Sequence, residues 1–285
     1  MIHEGRGRPK KRKKVILKDA QTPFPLYDYG EHEVIKQLRG YYPNELGYTV
    51  KNCYFPYVGF GEVMFDIMCS KECSIVYASD TNIHLRSAYN MLRDYPTKII
   101  AGLVLEEKKI RHCLTPESAN EAYNDAVCRY KELALRDPQS LDAAVLYILI
   151  GGYIVDPYKM TEKRVLWVAS ELLTKVKWIG TDEMLAILLN GVGVDAFTYI
   201  NYDYATTQTD LGSLTQLVRT LDVDGTYLLY SHIHTPPIQE SIEYNDSLLG
   251  VSHAELRYRN KYLGEVKHNY YIETTEGASI YEFMY

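Results

Sequence analysis

Between Tyr54 and Asn82 the hydrophobic pattern changes period twice. An apolar stretch opening at Tyr54 is cut by Gly59 and Gly61. Val63, Met64, Ile67 and Met68 then recur at helical spacing, and Ser74–Ala78 is a compact apolar run of the kind a buried parallel strand shows. The pattern predicts strand, glycine turn, helix and second strand, with Asp80 directly after it. Upstream, Val15–Leu17 and the proline-bearing stretch Thr22–Pro43 precede an amphipathic helix through Val34, Ile35 and Leu38. From Leu85 to about Arg164 the spacing is helical at Ala88, Met91 and Leu92, at Ala122, Val127 and Tyr130, and over Ala143–Ile150, with breaks at Pro96, Pro116, Pro138 and Pro157. Beyond it, helices over Val165–Val176, Met184–Leu189 and Leu211–Leu221 alternate with strands at Phe197–Ile200 and Gly225–Tyr230, and Tyr270–Glu273 with Ser279–Tyr285 form a closing antiparallel pair. The alternation predicts an α/β fold: a mostly parallel, doubly wound sheet with helices on both faces. Its core spans 15–84 and 165–285, and 85–164 is a helical insertion.

Composition changes this picture little. The 285 residues are 46% hydrophobic, which suits one large α/β domain or two small ones. No apolar run reaches the roughly 18 residues of a bilayer span, and the basic start is not followed by an apolar segment. The expectation is an intracellular protein of cytoplasm or nucleoid, away from membranes. The five cysteines, Cys53, Cys69, Cys73, Cys113 and Cys128, include no CxxC pair, so reduced, buried thiols are expected.

Charge changes it more. The net charge of −6 hides an asymmetry: residues 1–14 hold Arg6, Arg8, Lys10, Lys11, Arg12, Lys13 and Lys14 against Glu4 alone, while the rest carries 24 basic and 36 acidic residues. Such a tail is expected to be disordered in isolation. Within it GRGRPKK, Gly5–Lys11, resembles an AT-hook. That resemblance implies that Arg6-Gly7-Arg8-Pro9 lies in the narrow minor groove of AT-rich DNA while Lys10, Lys11, Arg12, Lys13 and Lys14 contact phosphates. A nonspecific polyanion tether and a nuclear localisation signal are the other readings of the same charges.

The candidate chemistry sits in the Tyr54–Asn82 unit. Gly59 and Gly61 are spaced as where backbone passes close to a ligand, because glycine admits positive φ and has no Cβ. Asp80 follows by about 20 residues, where a carboxylate accepts hydrogen bonds from ribose hydroxyls in nucleotide-type sites. An aspartate ending a strand is otherwise a solvated turn residue. His232 and His234, with His253 and His268, offer a metal pair without an identifiable third ligand, so no metal site is assigned.

The order of landmarks, more than any one of them, carries a resemblance. PFPLYDYGEHEVI, PYVGFGEVMF, SDTN, Tyr123–Tyr130 followed by AAVLYILIGGY, then FTYINYDY, LLYSH and IYEFMY together resemble the DNA adenine-N6 methyltransferases of the Dam type over nearly the whole chain after the tail. The resemblance implies a Rossmann-like methyltransferase sheet, S-adenosylmethionine as cofactor, a target-recognition role for 85–164, and an adenine flipped from duplex DNA. It also implies that Tyr57, Gly59, Gly61, Asp80 and Asp182 hold the cofactor. Asn201 and the Tyr202 carbonyl would accept the two N6 hydrogens, and Tyr204 would stack on the base. For Asp182 the other reading is a helix N-cap, by Thr181 or Asp182 itself.

The chain departs from the family at several of these points. Tyr202 and Asp203 replace both prolines of the catalytic motif, removing the fixed φ that would aim the carbonyl. Gly30-Glu31-His32 stands where the family has a lysine, Phe60 where the turn has a small residue, Phe55 where an acidic residue precedes the proline, and Tyr153–Lys159 where a recognition element is expected. Two readings stay open: an active methyltransferase, or a catalytically inactive relative that binds DNA or a protein partner as a regulator.

Overall fold

Alternating side chains on short strands give this protein a sheet with two buried faces. The computed structural model describes residues 35, 38–113, 115–155, 162–201, 204–205 and 208–231, and the strands at 252–259, 267–275 and 278–281; at 152–155, 222–223, 230–231 and in those three strands only the backbone is described. Strands β1 (Asn52–Phe55), β2 (Ile75–Ala78), β3 (Val176–Trp178), β4 (Ala196–Asn201) and β5 (Tyr227–Ser231) form one sheet in the order β3-β2-β1-β4-β5. All four pairings are parallel, with Cys53 level with Val76 on one side and with Phe197 on the other.

Parallel neighbours require crossovers, and helices supply them. α1 (Glu62–Ser70) joins β1 to β2; α2 (Ile83–Asp94), α3 (Pro96–Arg111), α4 (Pro116–Arg136), α5 (Leu141–Val155) and α6 (Lys163–Leu173) lie between β2 and β3. α7 (Thr181–Leu189) and α8 (Leu211–Val223) precede β4 and β5. Period two along the strands divides the core. Cys53, Phe55, Val76, Ala78, Phe197, Tyr199 and Leu229 share one buried cluster with residues of α1–α6, among them Ile67, Leu92, Leu103, Val145 and Leu173. Tyr54, Ala196, Ile200 and Leu228 share the other with Met184 and Leu188 of α7 and Leu214, Leu217, Val218 and Leu221 of α8. Each such leucine, fully buried, contributes about 2 kcal/mol. The helical segment after β2 therefore shares its core with the sheet.

Local signals set the helix boundaries. Asn82 caps α2 by accepting from the His84 and Leu85 amides, Pro96 opens α3 where α2 stops, and Thr115 with Ser118 forms a capping box that spans Pro116. At one boundary the type of element changes from the sequence reading. The helix expected over Val165–Val176 ends at Leu173, and Val176 begins β3. Three residues carry no readable period; the strand exists because β2 offers a ladder, with the Val76 amide bonded to the Lys175 carbonyl and the Ile179 amide to that of Ala78.

Towards the carboxyl end, β6 (Ser252–Arg259), β7 (Lys267–Thr275) and β8 (Ala278–Tyr281) form an antiparallel sheet lying beside β5. The expected closing pair is thus part of a three-stranded unit. Among the described residues no helix is long and apolar enough to cross a membrane. Residues 1–14, Val15–Leu17 and Val34 lie outside the described residues; Ile35 and Leu38 are helical and buried, ahead of a 3-10 turn at Arg39–Tyr41.

Candidate ligand site at the glycine turn

The strand order reverses between β1 and β4, and in open α/β sheets ligands bind at the carboxyl ends of strands flanking such a point. The backbone leaving β1 is fixed there by exchange with the end of β2. The Ser79 amide bonds to the Phe55 carbonyl at 3.0 Å, the Val58 amide to the Ser79 carbonyl at 3.1 Å, and the Ser79 hydroxyl to the Pro56 carbonyl at 2.6 Å. The turn then needs two left-handed residues, Gly59 at φ +51° and Gly61 at φ +74°. A Cβ on Gly61 would stand 2.9 Å from the Tyr89 hydroxyl, and one on Gly59 would meet the Tyr204 ring at 3.4 Å.

Asp80 is the centre of the site. It is fully buried rather than a solvated turn residue. Its Oδ2 accepts from the Gly59 amide at 2.9 Å; its Oδ1 accepts from the Asn82 amide at 2.8 Å, the Tyr204 hydroxyl at 3.0 Å and the Gln208 amide at 3.2 Å. All four donors are neutral. Arg86 reaches only the Asp80 backbone carbonyl, at 3.4 Å. Burial pushes the Asp80 carboxyl above its ordinary pKa, and the hydrogen bonds from Asn82, Gly59, Tyr204 and Gln208 oppose that rise. Burial, with Asp80 next to it, pushes the Tyr204 hydroxyl well above the usual phenol range.

Tyr204 ties the sheet ends together. While its hydroxyl donates to Asp80, its backbone amide donates to Asn201 Oδ1 at 3.1 Å at the end of β4. Gln208 likewise bridges, its Oε1 accepting from the Thr81 amide at 3.1 Å. The helical segment adds an aromatic wall. The Tyr89 hydroxyl donates to the Gly59 carbonyl at 3.3 Å and its ring stacks on Trp178 at 5.2 Å. Tyr147 of α5 lies close enough to Asp80 and Asn82 for both to act on its hydroxyl, whose pKa burial raises first of all, and Tyr130 packs between Tyr147 and His84.

Of the residues singled out in the sequence, the structure brings Gly59, Gly61, Asp80, Asn201 and Tyr204 together. Tyr57 is buried in the α7 and α8 side of the core, where burial raises its hydroxyl pKa. Asp182 is exposed in the first turn of α7, whose N-cap is Gly180 with no side-chain cap, so neither Thr181 nor Asp182 is the N-cap. Tyr202, Asp203, the tail from Arg6 to Lys14, His232 and His234 lie outside the described residues, as do the side chains of His253 and His268. Among the described residues no three His, Cys, Asp or Glu side chains group as a metal site. Sequence reading missed Tyr89, Tyr147 and Gln208. Only Gln208 left a signal, since it follows Tyr204 at the i+4 spacing that puts two side chains on one face. A groove of about 410 Å³ between α3, α4 and α5 lies apart from all of these and is spanned by the Arg129–Glu106 pair at 2.6 Å.

Chemically, the arrangement is an acceptor site. A buried carboxylate beside a backbone turn that tolerates close approach can take hydroxyl donors from a ligand in place of those from Tyr204 and Gln208. The class these features define is a mixed α/β protein with a Rossmann-like parallel sheet and a glycine turn at its switch point. The chain matches no protein-family model and no curated protein.

Proposed function

We propose that this chain is an S-adenosylmethionine-binding protein of the DNA adenine-N6 methyltransferase type. The observation that carries the reading is Asp80: a fully buried carboxylate ending β2, bonded to the Gly59 amide of the turn after β1, in a sheet ordered β3-β2-β1-β4-β5. The residues present fit the cofactor, because the buried Asp80 carboxylate is an acceptor suited to ribose hydroxyls and lies against the Gly59 amide of the turn. In this reading Asp80 holds the ribose, and Gly59 and Gly61 let backbone approach the cofactor. S-adenosylmethionine, when bound, supplies an electrophilic methyl group. Asn201 Oδ1 and the Tyr202 carbonyl accept the hydrogens of the target amine, Tyr204 stacks on the flipped base, and the basic tail from Arg6 to Lys14 holds AT-rich or nonspecific duplex.

One observation favours the second reading, an inactive relative serving as a DNA- or protein-binding regulator. Tyr204 already engages both acceptors, Asp80 through its hydroxyl and Asn201 through its amide. Calorimetric titration with S-adenosylmethionine, on the full chain and on Asp80→Asn, tests the shared part. Binding lost in the variant supports the cofactor site, and no binding by a folded chain overturns it. Transfer of a labelled methyl to unmethylated AT-rich duplex then separates the two readings.

A further inference from the structure

The rim of the sheet opposite the glycine turn carries a second chemical feature. Cys53 is the second residue of β1, with its side chain in the core, and Cys73 lies in the connection between α1 and β2. Both are free and buried, Cys73 retaining 8% exposure, and their sulfurs are 3.1 Å apart, with the Cys53 thiol donating to Cys73. The backbone that brings them together is part of the ladder: the Ser74 amide bonds to the Lys51 carbonyl at 2.9 Å, and Val76 is level with Cys53.

The environment divides the two thiols by role. The hydrogen bond from Cys53 lowers the Cys73 pKa, and the nearby Lys175 and Lys71 ammonium groups act in the same direction against burial. The same hydrogen bond, with burial, raises that of Cys53. Cys73 is thus set up as the attacking thiolate and Cys53 as the resolving thiol. Cys69, by contrast, is pushed up to about 11 by burial first and by Asp66 next.

We propose that Cys53 and Cys73 are an oxidation site at which a peroxide converts the two thiols into a disulfide. The Cys73 thiolate attacks one oxygen of hydrogen peroxide; the O–O bond breaks, Cys73 becomes a sulfenic acid, and the released hydroxide takes a proton to leave as water. The Cys53 sulfur then attacks the Cys73 sulfur, the S–S bond forms as the S–O bond breaks, and the departing hydroxide carries away the Cys53 proton as a second water. Two thiols are oxidised by two electrons and one peroxide is reduced. The product ties the start of β1 to the approach of β2 and closes covalently the loop that carries the glycine turn and α1.

The test uses the full chain with Cys113→Ser and Cys128→Ser, which removes the exposed thiol Cys128 and the half-buried Cys113 and leaves three thiols. The protein is treated with hydrogen peroxide, quenched with catalase, alkylated in denaturant and read as unreduced peptides by mass spectrometry. The expected result is loss of two of the three alkylatable thiols, recovered as one Cys53–Cys73 peptide pair lighter by two hydrogens, with Cys69 alkylated. Adding Cys53→Ser should leave Cys73 as a sulfenic acid that dimedone labels, and adding Cys73→Ser should leave Cys53 fully alkylated. Recovery of both Cys53 and Cys73 as alkylated thiols after peroxide would overturn the assignment, as would oxidation of Cys53 in the Cys73→Ser protein.

Discussion

Asp66 and Asp80 are both fully buried, and they are held in opposite ways. Asp66, on α1, faces a cation: Arg39 donates from Nε and Nη2 to Oδ1 at 2.9 and 2.6 Å, and the Tyr42 hydroxyl donates to Oδ2 at 2.9 Å. Asp80 faces the neutral groups of Gly59, Asn82, Tyr204 and Gln208, and among the described residues no cation pairs with its carboxylate. A carboxylate matched by a guanidinium is neutralised where it stands, and exchanging that partner for a neutral one would strand a charge. A carboxylate held by hydroxyl and amide donors has no counter-charge beside it, and those donors can be replaced by donors of similar geometry on a ligand. Burial alone therefore does not mark a site. The chemistry of the partner separates the two: Asp66 pins the 3-10 turn ahead of β1 to α1 through a cation, while Asp80 is tied to the glycine turn, Tyr204 and Gln208 by neutral donors.

The comparison breaks if the two residues respond alike to substitution. The largest effect is expected from Arg39→Ala, which leaves Asp66 charged and unmatched. Because Arg39 is one-third exposed, we expect a loss of about 3 kcal/mol, at the lower end for a broken buried pair, read as a lowered urea midpoint with cofactor affinity unchanged in the folded fraction. Next comes Asp80→Asn, which should remain folded while S-adenosylmethionine affinity drops about 30-fold, corresponding to roughly 2 kcal/mol for charge-assisted hydrogen bonds to hydroxyls. An unfolded Asp80→Asn protein, or one that binds as well as the parent, would remove the distinction.

Tyr204→Phe sharpens it. The substitution deletes the internal hydroxyl that competes for Asp80, so cofactor affinity should rise about fivefold, equivalent to about 1 kcal/mol for one hydrogen bond. Weaker binding in this variant would mean that the Tyr204 hydroxyl supports the site instead of covering it.

The smallest effect is in pH dependence. Burial raises the Asp80 pKa in the folded state above its unfolded value, so the proton is held more tightly when folded. That contribution to stability is fully present below the unfolded aspartate pKa and is lost as pH rises through the folded one. Urea midpoints of the parent relative to Asp80→Asn should therefore decline across the acidic range and then level off. A relative midpoint that rises over the same range would show that the neutral donors overcome the desolvation.

Part of this was written locally. The run from Tyr54 to Asp80 declares its strand, turn, helix and strand, because residue spacing decides which side chains share a face and because two glycines mark where φ turns positive. Asn82, Pro96 and the Thr115–Ser118 box likewise state helix starts within a few residues of themselves. The strand Val176–Trp178 was not legible, since three residues carry no period and the neighbour that makes them a strand is about a hundred positions earlier. Nor was the character of the two aspartates. Tyr204 and Gln208 reach Asp80 across 124 and 128 residues, and Arg39 reaches Asp66 across 27. The sequence by itself determined the strand, turn, helix and strand from Tyr54 to Asp80, several helix starts, and that a carboxylate ends the second strand. Only the tertiary structure decided that this carboxylate is buried among neutral donors and that Cys53 meets Cys73. A polar group's environment is set by whichever remote segment the strand order delivers to it, and no local spacing contains that order.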